Sequence, residues 1–93
     1  MCTSIVEIVE ADGAGKGVDG WFELTHSVVS YDHPHHAVLE EAITIDFVNR
    51  ALGPGARVAV ELTLVAAKEL SGALTRAIAA AEIEESARFR PRR

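Results

Sequence analysis

Ala42-Ile43-Thr44-Ile45-Asp46-Phe47-Val48-Asn49 and, beyond a turn, Ala56-Arg57-Val58-Ala59-Val60-Glu61-Leu62 decide the fold class of this chain. In the first stretch Ile43, Ile45 and Phe47 alternate with Thr44 and Asp46; in the second Val58, Val60 and Leu62 alternate with Arg57, Ala59 and Glu61. Successive side chains of a strand point to opposite faces, so each stretch reads as a half-buried strand with one wet face. Leu52-Gly53-Pro54-Gly55 between them is a strong turn signal. Asp46 then reads as a wet-face residue paired with Arg57 across the ladder.

Downstream the period changes. Thr63 can cap a helix, and Ala67, Leu70, Ser71, Leu74, Ala77, Ile78 and Ala81 recur at three- and four-residue spacing. Lys68, Glu69, Thr75, Arg76 and Glu82 fall off that stripe, which predicts a helix lying on the sheet through Leu70, Leu74 and Ile78 and fading around residues 84–87. Upstream, residues 3–11 are β-branched and apolar, a first strand, and Trp21 to Tyr31 form a second that ends near Asp32 because Pro34 removes a backbone donor. Strict alternation puts Phe22, Leu24, His26 and Val28 on the core face of the second strand. It puts Trp21, Glu23, Thr25, Ser27, Val29 and Tyr31 on the wet face, with Val48 and Ala59 from the neighbouring strands. The glycine-rich segment 12–20 between the two reads as a flexible loop. The expectation is an α+β domain over residues 1–87: an antiparallel four-stranded sheet in ββββα order, one C-terminal amphipathic helix packed on one face, and a basic tail over 88–93.

With 93 residues there is one domain, and a chain this short buries only about 60% of its unfolded surface, so a homodimer is the expected assembly. Acidic residues number 14 against 9 basic, and four of the arginines (Arg88, Arg90, Arg92, Arg93) crowd the last six positions. The acidic body argues against nucleic acid as a partner, because affinity for a phosphate backbone comes from clustered Lys and Arg. A single cysteine forms no internal disulfide, no stretch approaches the roughly 20 apolar residues of a membrane span, and the N-terminus lacks a signal-peptide pattern. The expected location is cytoplasmic, away from membranes. Gly13-Ala14-Gly15-Lys16-Gly17 resembles a phosphate loop only superficially: a strand follows where a helix is needed and no Ser or Thr follows Lys16, so no nucleotide is expected.

The residues that point toward chemistry are Asp32-His33-Pro34-His35-His36 and the lone Cys2. Imidazole is the commonest protein ligand for borderline transition metals. If the segment stays extended, His33 and His35 project to one side; if a helical turn begins at Pro34, His36 and Glu40 share a face. A third ligand comes from Cys2, His26, Glu41 or Asp46. Asp32 and Glu40 are placed to hold an imidazole through the nitrogen that does not face the metal. Removal of Met1 would leave Cys2 with an amine and a thiolate able to chelate together or to act as a nucleophile. The competing readings are a solvated loop whose histidines titrate and nothing more, a small packed cysteine, and, for His26, a hydrogen-bonded and partly buried side chain.

Met1-Cys2-Thr3, Gly20-Trp21-Phe22, Tyr31-Asp32-His33-Pro34-x-His36-Ala37, Ile45-Asp46-Phe47 and the Arg57–Leu62 strand resemble a family of small proteins of unknown function, mostly actinobacterial. The resemblance implies no activity. It implies that Cys2, Asp32, His33 and His36 belong to the family pattern while His35 does not, which favours His33 and His36 as the primary pair. The leading expectation is therefore a transition-metal protein (Zn, Cu, Ni or Fe) with His33 and His36 as ligands, completed by Cys2 or His35. If a coordination position stays open, bound water is available for hydrolysis. The alternatives are an interaction module that homodimerises or binds a protein partner through a sheet face bearing Trp21 and Tyr31, and a metal-free enzyme with Cys2 as nucleophile.

Overall fold

The computed structural model describes residues 5–33 and 41–88. Strands β1 (Val6–Gly17), β2 (Gly20–Asp32), β3 (Ala42–Val48) and β4 (Arg57–Leu62) form one antiparallel sheet in the order β1-β2-β3-β4, and helix α1 (Leu64–Arg88) follows. The α+β class and the ββββα order are those read from the alternation and the helical stripe. Asp46 and Arg57 do pair, with Arg57 Nε at 3.1 Å and Nη2 at 3.0 Å from Asp46 Oδ1. Being largely in solvent, the pair is worth under about 1 kcal/mol.

The glycine-rich segment is strand, not loop. β1 runs through Gly13, Gly15 and Gly17 to a turn at Val18 and Asp19, with Gly20 at φ 113° on the far side. The glycines serve a close approach. A Cβ on Gly15 would stand 3.1 Å from Leu24 Cδ2 and 3.3 Å from Val58 Cγ2, and one on Gly17 would stand 3.0 Å from the Phe22 ring. The first and last strands of the sheet therefore meet at this end, with the sheet curled into a trough. A register irregularity between Glu10 and Gly13 marks where β1 bends, as expected of a bulge.

The curl also revises which residues of β2 face inward. Cross-strand partners share a face, and Ser27 pairs Phe47, Val29 pairs Ile45 and Tyr31 pairs Ile43, which in turn pair Val58, Val60 and Leu62. Val29 and Tyr31 thus belong to the apolar side, whereas His26 and Val28 sit with Val48 and Asp46 on the other. Yet Leu24 shares the space beside Gly15 with Val58. The alternation must invert between them, and it does so at Thr25 and His26: His26 Nδ1 and Thr25 Oγ1 are 2.9 Å apart, a contact that neighbours on a regular strand, pointing to opposite faces, do not make. Around this break, Thr25 Oγ1 donates to the Val48 carbonyl and accepts from Arg50 N. Asn49, nearly buried, caps a short 3-10 turn (Arg50–Leu52) through Oδ1 and donates Nδ2 to the Glu23 carbonyl at 2.8 Å.

α1 starts as read, Thr63 Oγ1 accepting from Ala66 N at 3.0 Å, and continues to Arg88, past the predicted fading at 84–87. Its packing departs from the expectation. No residue of α1 is buried, and beyond Ala67 only Gly72, under the Arg76 side chain, is even half-covered. Leu74 and Ile78 are 53% and 54% exposed. What contact the helix makes with the sheet is slight and falls on β3 and β4. The cause is covalent: one residue, Thr63, separates β4 from α1, and a single residue offers no length in which the chain can reverse onto the sheet. The fold is accordingly extended, 60 × 31 × 22 Å, with a radius of gyration of 16.4 Å against about 12 Å for a closely packed chain of this length. Among the described residues Ala42 is the one buried apolar side chain.

Candidate functional site

The segment that carries the histidines leaves the sheet from the last rung of β2 and β3, where Asp32 pairs Ala42. Asp32 Oδ1 accepts from His33 N at 2.7 Å where the chain leaves β2. There His33 Nδ1 stands 3.5 Å from Glu41 Oε1, so the first residue after β2 and the last before β3 bring an imidazole and a carboxylate together. That distance makes an ion pair when the imidazole is protonated, and is long for a hydrogen bond. Ile5 O accepts from Tyr31 N at 3.2 Å, so the chain also enters the sheet at the end where His33 and Glu41 lie.

His35, His36, Glu40 and Cys2 lie outside the described residues, so the proposed set of ligands is represented here by His33 alone, with Asp32 beneath it. Two of the candidate third ligands stand elsewhere. His26 is held by Thr25 on the other side of the break in β2, seven residues from His33, a separation of about 23 Å along a strand. Asp46 is engaged by Arg57, as the duller reading had it. Among the described residues Glu41 is the one candidate found beside His33. Among the described residues no group of three or more His, Cys, Asp and Glu side chains is placed to hold a metal ion.

Trp21 and Tyr31, read as one face, are separated by the length of β2 and by its inversion: Trp21 is 71% exposed at the hairpin end, and Tyr31 lies half-buried with Ile43 on the trough side. Trp21 instead borders a shallow depression of 270 Å3 between the hairpin turn and the turn after β3, where Asp19 is the one titratable group. Nothing in that depression offers a nucleophile with a base beside it.

The feature that alternation did not disclose is the extent of open apolar surface. Ile43, Ile45, Val60 and Leu62 share the trough side with Val29 and Tyr31, and none of them is buried. Alongside stands α1, its leucines and isoleucines in solvent. Among the described residues no helix is long and apolar enough to cross a membrane.

No curated protein and no solved structure matches the sequence. The model of one family, described as a family of unknown function (DUF6295), matches residues 1–87. With nearly the whole chain covered, from the Met-Cys-Thr start through the sheet and most of the helix, this protein belongs to the family of unknown function DUF6295.

Proposed function

We propose that this chain is an interaction module, acting through the apolar trough of its sheet and the stripe of α1. One observation carries the reading: Leu70, Leu74 and Ile78 of α1 stand in solvent while the apolar residues on the trough side of the same chain's sheet are only half-covered, with Val60 exposed. In proteins most of a helix's stability comes from packing an apolar face rather than from intrinsic propensity, and α1 has almost nothing packed on it within its own chain. The acidic body and the single cysteine suit a cytoplasmic setting with a protein rather than a nucleic acid as partner. Sedimentation of purified Leu74→Glu beside His33→Ala tests this. Leu74→Glu should lower the association state of the chain and His33→Ala should not; an unaltered Leu74→Glu, or dissociation by His33→Ala, contradicts the reading.

A second reading rests on the His33 and Glu41 pair: a transition-metal site (Zn, Cu, Ni or Fe) with His33 and His36 as ligands and His35 or Cys2 completing it, Asp32 and Glu40 holding the imidazoles. In its favour, the ends of the histidine segment are drawn together and the N-terminus enters the sheet at the same end. Elemental analysis of tag-free protein should find about one metal per chain in the wild type and little in His33→Ala/His36→Ala. Sub-stoichiometric metal in both would remove the site.

A further inference from the structure

We infer that the occupant of the trough is α1 of a second copy of this chain, and that the exchange is reciprocal. The inference rests on the interaction reading above and names its partner. Three observations lead to it. The chain exposes 7599 Å2, roughly 2,400 Å2 more than the about 5,200 Å2 typical of a folded monomer of its mass. Even half of that excess, removed from each of two chains, reaches the lower end of the roughly 2,000–5,000 Å2 buried by obligate dimers.

Connectivity is the second observation. The single residue Thr63 carries α1 away from its own sheet, whereas the same direction of travel brings it within reach of another molecule; short connections of this kind favour exchange of an element between protomers. The third is complementarity in kind and number. A sheet face needs one covering layer and a helix stripe needs one surface to lie on, and each chain carries one of each, the stripe in solvent and the trough residues half-covered. Two chains about a two-fold axis satisfy all four at once. A foreign partner would have to supply a helix and a sheet face together. α1, about 37 Å long at 25 residues, is more than long enough to cross four strands spaced about 4.8 Å apart.

Val60, 37% exposed in the middle of β4, and Leu74, in the middle of the stripe, are both open in the single chain, so a glutamate at either leaves the sheet's own contacts in place. Leu74→Glu spoils the helix and keeps a good trough; Val60→Glu does the reverse. Each alone should run as a monomer by size-exclusion chromatography with light scattering. Mixed in equal amounts they should recover a dimer, since one of the two helix-in-trough contacts is then intact. If Val60→Glu stays dimeric while Leu74→Glu dissociates, helices pair with helices, and the reciprocal exchange is wrong although the interaction reading stands. If neither substitution changes the size of the wild type, both fall. If both dissociate and mixing restores nothing, the exchange is wrong. Circular dichroism of the sheet and the near-ultraviolet signal of Trp21 separate dissociation from unfolding; a Val60→Glu chain that has lost its sheet is replaced by Val60→Asn, for which the same three outcomes decide.

Discussion

Asn49→Ala is expected to destabilise the fold by about 2–4 kcal/mol, a large share of the stability of a domain this size. Asn49 is almost fully buried and uses both ends of its amide. Oδ1 accepts from Ala51 N at 2.9 Å, closing the 3-10 turn that leads into the Gly53-Pro54-Gly55 reversal, and Nδ2 donates to the Glu23 carbonyl at 2.8 Å, tying β2 to the end of β3. Alanine would leave a backbone donor and a backbone acceptor without these partners, each at about 1–3 kcal/mol where water is excluded. Asn49→Asp separates the two roles: it keeps the acceptor for Ala51 N and places a carboxylate against the Glu23 carbonyl, so it should also destabilise. Urea unfolding at one fixed chain concentration measures both. A loss below about 0.5 kcal/mol for the alanine variant would show that the break in β2 is held by Thr25 alone.

Gly15→Val should cost about 1–3 kcal/mol even though valine is a far better strand former than glycine. Its Cβ alone would sit 3.1 Å from Leu24 and 3.3 Å from Val58, and the two further methyls enter the place where β1 crosses over β4. Gly13→Ala is the matched control. It lies on the same strand with nothing within 4 Å of the added Cβ, so it should be neutral or stabilise by up to about 1 kcal/mol through the unfolded state. Equal effects of the two substitutions on the thermal midpoint would mean that β1 and β4 do not close on one another in solution.

These residues also show which parts of the fold are legible in the sequence. β3, β4 and the start of α1 depend on neighbours in sequence: alternation, a Gly-Pro-Gly turn and a Thr cap, all read directly from Ala42 to Ala67. The inversion of β2 is invisible in the sequence because Phe22, Leu24, His26 and Val28 alternate without a flaw; the bonds around it come from more than twenty residues away, Asn49 to the Glu23 carbonyl and Arg50 N to Thr25 Oγ1. Gly13, Gly15 and Gly17 read as a loop because glycine permits loops, whereas Gly15 is there for the approach of Val58, a contact across the curled sheet. The stripe of α1 was legible as a stripe. Periodicity marks the face a helix would cover but does not say that its own sheet lies beneath it, and in this chain that face stands in solvent after a one-residue connection. Near the histidines only the end of β2 at Asp32 was legible, from Pro34, whereas Glu41 comes to His33 through the pairing of Asp32 with Ala42, a register no local pattern contains.

The proposed contact joins the helix of one chain to the trough of another. Light scattering on the purified wild type, over a range of chain concentrations, tests that claim most directly. A mass twice the 10.0 kDa of one chain is expected, falling toward one chain only on dilution, with helical circular dichroism falling alongside it. A mass of 10.0 kDa at every concentration, with the helix intact, would contradict it.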